Sequence, residues 1–340
     1  MSTSDVTRQG LRGVRPGPEA RPGRPARRRG RRGEQAMVPP AEFTSYYGKP
    51  VINSPVWHSP DIPGYFFLGG LAGASSLLGA GAQASGRPDL ARAAKAGALG
   101  AISLSMAGLT HDLGRPARFL NMLRVIKVTS PMSVGSWILA GYVPAAGVTA
   151  ASALTGRASR LGAAATAAAA LLGPALATYT AVLISDTAVP AWHDGYREMP
   201  FVFAGSAAAA AGGLGLLAAP AGQNAPARNL ALLGAAAEAV AFERMTRRMG
   251  MVAEPYHAGR AGAYVRASQV LALLGGAGAL LGRRNRTVAA LSGAALLGAS
   301  AAIRWGGFHT GLASAADPKY TVVPQRERRD SSRPAVAEAN

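Results

Sequence analysis

The chain has 340 residues, 49% apolar but only 6% aromatic and 16% charged, and its formal net charge is +19. A soluble domain carries about 25% charged residues, so the sparsely charged middle of this chain excludes an ordinary soluble fold. The chain has no cysteine, which excludes disulfides, thiolate zinc sites and cysteine-ligated iron–sulfur clusters within it.

The first 36 residues hold ten arginines among Gly and Pro and almost no apolar side chains. Such a composition cannot bury a core, and the tail is expected to be disordered. Its RRRGRRG run is not followed by an apolar stretch, so it reads as neither a Sec nor a twin-arginine signal. The charge favours anionic lipid over nucleic acid as the partner of this tail. Met37 is a second candidate start, and residues 37–61 form a pre-membrane segment.

From residue 62 to 308 the pattern predicts an all-α integral membrane protein, a bundle of eight transmembrane helices, followed by a C-terminal tail over 309–340. The apolar stretches lie near 62–83, 91–111, 133–155, 161–185, 199–219, 227–248, 265–282 and 287–306, each close to the roughly 20 residues that cross a bilayer. Spacings such as Gly69-xxx-Gly73 let helix backbones approach closely. Pro144 and Pro174 fall inside spans and are expected to kink them. No Rossmann or P-loop pattern stands in a strand–helix context.

The connection between the second and third stretches is the most distinctive. His111-Asp112 ends an apolar run, and Gly114-Arg115-Pro116 stops one helix and starts another. Phe119, Met122, Leu123 and Ile126 then recur at helical spacing, with Arg118, Asn121, Arg124 and Lys127 on other faces. This predicts an amphipathic helix at the membrane surface. Thr129-Ser130-Pro131 breaks it, and SVGSW (Ser133 to Trp137) opens the next span with Trp at interface depth.

With eight spans both termini share one side. All five histidines (His58, His111, His193, His257 and His309) and all four tryptophans (Trp57, Trp137, Trp192 and Trp305) fall on that side, and neither type occurs in the opposite turns. This one-sidedness predicts a docking and reaction face. Aromatic belts normally form at both interfaces. No histidine lies near a span centre, so no transmembrane haem is expected. Glu238 lies mid-span, where a carboxyl is costly and marks either a functional group or a hydrogen bond to a neighbouring helix. Asp186 ends the fourth stretch, two helical turns from Tyr179. His111 and Asp112 form either a proton relay or a plain polar helix end. The Lys and Arg of the tails favour cytoplasmic termini by the positive-inside rule, while the short connections are balanced.

Three stretches carry a family resemblance: PVWHSPDIPGYFFLGGLAG (Pro55 to Gly73), HDLGRPARFLNMLRVIKVTSPMSVGSW (His111 to Trp137) and TYTAVLISDTAVPAW (Thr178 to Trp192). Together they resemble the NrfD / polysulfide-reductase membrane-subunit family, densest up to about Gly213. The resemblance implies a haem-free anchor in the cell membrane that exchanges electrons between quinone (menaquinone or ubiquinone) and a four-cluster ferredoxin-like iron–sulfur subunit. A molybdopterin catalytic subunit often completes such complexes. Carried over by motif position, His58, Tyr65, Tyr179 and Asp186 would bind the quinone. His111, Asp112 and Glu238 are the candidates for proton transfer. Arg115, Arg118, Arg124, Lys127, Trp192 and His193 are those for partner docking. A secondary transporter would show repeated halves and midplane polar groups, and neither pattern is evident beyond Glu238. A purely structural anchor is the third reading.

Overall fold

The computed structural model describes residues 50–115, 117–157 and 160–332, together with four two-residue strands before residue 50, which pair as Val6–Thr7 with Gly10–Leu11 and Arg21–Pro22 with Ala41–Glu42. The rest of the Arg-rich tail, on which the expectation of disorder rests, lies outside the described residues. Val56–Ala313 forms one compact unit, and residues 50–55 and 314–332 belong to a second.

Helices occupy almost all of the larger unit. They run as α1 (Asp61–Ala84), α2 (Pro88–Asp112), α3 (Ala117–Met122), α4 (Pro131–Thr155), α5 (Arg160–Ser185) and α6 (Pro190–His193). After these come α7 (Met199–Ala218), α8 (Ala225–Met249), α9 (Glu254–His257), α10 (Gly259–Leu281) and α11 (Arg286–Ala316), and α12 (Lys319–Ser332) follows. Six of them carry proline at one of their first two positions, where the missing N–H costs no helical hydrogen bond.

The eight long helices of the unit fall where the eight apolar stretches lie, but six are long and apolar enough to cross a membrane: α1, α4, α5, α7, α10 and α11. The other two are more polar, α2 through Asp89, Arg92 and Lys95, and α8 through Arg228, Glu238 and four charged residues in its last two turns. A second difference is at the end of the chain. α11 continues from the expected limit at 306 to Ala316, which moves Arg304 from a span end to mid-helix.

Small residues set the crossings. A Cβ at Gly73 would stand 2.2 Å from the Gly173 carbonyl oxygen, and one at Gly205 2.8 Å from that of Gly234. α1 therefore meets α5, and α7 meets α8, backbone to backbone, as expected of Gly-rich membrane helices. The Tyr142 hydroxyl, 2.6 Å from both the Ala72 carbonyl and Ser76 Oγ, fixes α4 to α1. α1 and α7 are the most buried of the spans, α4 and α10 the least.

Candidate functional site

At the end of the bundle that holds the His and Trp residues, the start of α1, the end of α2, α3, α4 and α5 enclose a cavity of about 220 Å³. Its walls are mostly apolar, with Leu109, Met132, Leu139 and Leu183 among them, and its polar members are Tyr65, Tyr179, Asp112, Ser136 and Arg118. The Tyr65 and Tyr179 rings meet edge to face, centroids 6.4 Å apart. Both residues are buried, at 4% and 8% exposure. Among the described residues neither hydroxyl has a hydrogen-bond partner. Two phenolic groups on the wall of an apolar cavity are a donor set suited to a small aromatic ligand with carbonyl or hydroxyl oxygens.

Asp112 joins this cavity to the surface. Its Oδ1 accepts the His58 backbone N–H at 3.1 Å and lies 3.3 Å from His58 Nδ1. The His58 side chain is 75% exposed and that of Asp112 13%, so the pair leads from cavity wall to solvent. The neighbouring pair is reciprocal: His111 Nδ1 lies 2.7 Å from Asp61 Oδ2. Two histidine–carboxylate contacts thus cross between the start of α1 and the end of α2, which sequence reading placed on one side but did not pair. Trp57, on the cavity wall, stacks on Trp192 at 5.5 Å.

The motif residues after Asp112 explain the cavity floor. Gly114 adopts φ +70° and ends α2. α3 then stops at Met122, short of the expected end near Ile126. The polar groups of α4 take over the backbone here: Ser133 Oγ accepts from the Lys127 N–H and donates to the Val125 carbonyl, each at 3.0 Å. Trp137 Nε1 donates to the same carbonyl at 3.3 Å. Val125, Ile126 and Val128 are left exposed. Gly135, one turn along, lies under the Tyr179 ring, and a Cβ there would stand 2.2 Å from Tyr179 Cε2.

Other expected site residues lie elsewhere. Asp186 is exposed and does not line the cavity; seven residues beyond Tyr179 is about 10 Å along the helix. Trp192 is fully buried, with Nε1 donating to the Gly307 carbonyl at 2.7 Å, so its indole holds α6 against α11 and presents no surface to a partner. His193 is exposed, its Nδ1 3.1 Å from the Ser185 carbonyl. Arg115, Arg118, Arg124 and Lys127 are exposed; Arg118 Nη1 donates to the Leu113 carbonyl at 2.9 Å, and its side chain also lines the cavity.

Glu238 lines a separate cavity of about 720 Å³ between α8 and α10, with Ser268 and Gln269. Ser206 and Arg304 also act on its carboxyl. Arg304 is the residue the sequence reading missed. It is 1% exposed, its Nη2 donates to the Phe203 carbonyl at 2.7 Å, and its guanidinium lies 3.6 Å from the Phe203 ring centroid. Its Nε and Nη1 have no hydrogen-bond partner.

The helices and this site define a polytopic membrane protein with a polar-ended cavity at one interface. Residues 50–243 match the family described as polysulphide reductase, NrfD, and the chain belongs to that family, whose members are membrane subunits of quinone-linked oxidoreductase complexes. None of the curated proteins matches the chain.

Proposed function

We propose that the cavity between α1, α2, α4 and α5 receives the headgroup of a quinone or quinol, and that this chain passes electrons between the quinone pool and a partner iron–sulfur subunit. The observation that supports this best is the pair of buried, unpartnered phenol groups, Tyr65 and Tyr179, on an otherwise apolar wall. Either hydroxyl can donate to a quinone carbonyl or accept from a quinol. Quinol oxidation releases two electrons and two protons. Asp112 stands on the cavity wall with His58 beyond it, so protons have a path of titratable groups to solvent. The chain has no cysteine, and the proposal assigns it neither cluster nor haem, so the electrons leave to the partner. That partner docks over the exposed Arg115, Arg124, Lys127 and His193. Glu238 belongs to a second cavity and is assigned no step at the quinone.

The test is quinone titration of the purified complex carrying Tyr65→Phe, Tyr179→Phe or both. Each loses one hydrogen bond of about 0.5–1.5 kcal/mol, so quinone affinity should fall up to roughly tenfold per site while assembly is kept. Unchanged affinity in the double variant would falsify the site. A Soret band retained by this chain alone would overturn the haem-free assignment. Crosslinks from the partner mainly to Arg157 or Arg284, on the opposite turns, would overturn the docking face.

A further inference from the structure

At the end of the bundle opposite the tyrosines, the α1–α2 and α4–α5 turns enclose a cavity of about 370 Å³ lined by Gln83, Arg87, Arg92, Lys95 and Ser152 among others. Three of these are cations. Lys95 is 5% exposed, and its Nζ donates to Gln83 Oε1 and, at 3.1 Å, to Thr166 Oγ1. Both partners are neutral. Its stem lies against α1 where a Cβ on Gly79 would meet Lys95 Cγ at 3.0 Å. Among the described residues the Arg87 guanidinium donates only to the Ser85 carbonyl, at 3.3 Å. Arg92 reaches Asp89 Oδ1 at 3.3 Å, but the other Asp89 oxygen accepts from Gln223 Nε2 at 2.6 Å and Asp89 does not line the cavity. The first amides of α2 are also taken, since Asp89 N–H donates to Gln223 Oε1 at 2.9 Å. Positive charge therefore comes from side chains, one of them buried with no carboxylate partner among the described residues.

A buried ammonium with neutral partners is costly unless a counter-charge completes the site. Two guanidinium forks at the mouth and an ammonium below match the oxygens of a phosphate group. We infer that this cavity is an anion site for a phosphate-bearing ligand, with Lys95 at its floor and Arg87 and Arg92 at its rim. Its place at the end of the helices suits an anionic lipid headgroup, and a free phosphate has the same chemistry.

Two variants of the full chain in its complex test this: Lys95→Met, which keeps the stem, and Arg87→Gln/Arg92→Gln, at the rim. Native mass spectrometry would follow retention of added phosphatidylglycerol, with phosphatidylcholine as the zwitterionic control. Thermal unfolding would follow inorganic phosphate. Phosphatidylglycerol held at least tenfold more weakly by either variant, with phosphatidylcholine unchanged, supports a headgroup site. Phosphate stabilising the wild type and not the variants, without preference for phosphatidylglycerol, supports the same site with a free anion. If Lys95→Met does not assemble, the arginine variant decides. Equal retention and equal phosphate response in the wild type and every assembled variant overturns the proposal and leaves Lys95 as a lysine sealed by Gln83 and Thr166.

Discussion

Gly135 on α4 lies directly under the ring of Tyr179 on α5, so close that a Cβ at position 135 would stand 2.2 Å from Cε2 and 2.6 Å from Cδ2. The SVGSW motif thus has a local reason: its serine and tryptophan hold the Val125 carbonyl, and its glycine makes room for the phenol that walls the cavity.

Gly135→Ala is therefore expected to displace the Tyr179 ring. Overpacking of this kind costs about 1–3 kcal/mol, which a stable bundle can tolerate. Quinone affinity should fall at least as far as in Tyr179→Phe. Affinity equal to wild type, measured on assembled complex, would show that ring position does not matter.

Asp112→Asn keeps the shape beside His58 and loses the titratable oxygen. The affinity for quinone should change little, while turnover should drop roughly 10²-fold or more, the range of a positioned acid–base group. His58→Gln should lower turnover less, since the His58 ring is exposed and water can replace it. Steady-state rates across pH separate the two; equal, undiminished rates in Asp112→Asn would remove it from the proton path.

Glu198, just before α7, accepts from Arg248 Nε and Nη2 at 2.9 and 2.6 Å. Arg248 holds its carboxyl below the ordinary carboxylate range, with burial acting in the opposite sense. The sign follows: this contribution is present above the ordinary carboxylate pKa and is lost as pH falls through the lowered folded value. Glu198→Gln should destabilise the complex by about 1–3 kcal/mol at neutral pH, and the difference from wild type should shrink under acid conditions. Thermal unfolding at several pH values checks it. A difference that grows on acidification would contradict the pairing.

Glu238 and Arg304 form the one buried acid–base grouping among the described residues that lies mid-bundle. No ion-pair contact within 4 Å joins the two among the described residues, and the Arg304 guanidinium is held by the Phe203 carbonyl and ring, so any coupling acts through the field across the buried interior. Arg304→Met and Glu238→Gln should each destabilise, and the double variant should lose less than their sum, with a coupling of about 0.5–3 kcal/mol. Unfolding midpoints in detergent measure the cycle. Strict additivity would mean that the two do not interact.

Apolar length was enough to locate the eight long helices, most of their ends to within a few residues, because it is a local property; α10, which starts six residues earlier, and α11, which runs ten residues further, are the exceptions. The one-sided histidines and tryptophans were legible for the same reason: the order of spans assigns each connection to an end. What periodicity could not supply was what each face meets. Tyr179 and Asp186 share a helix face, yet only Tyr179 reaches the cavity, since seven residues of rise carry Asp186 past it. Arg304 falls two residues before the expected end of the last apolar stretch at 306, and only the continuation of α11 to Ala316 places it in the interior. The meeting of Tyr65, Tyr179 and Asp112, drawn from three helices, depends on where backbones can touch. That is decided by contacts such as Gly73 against Gly173 and Gly135 against Tyr179, which exist only once the helices pack.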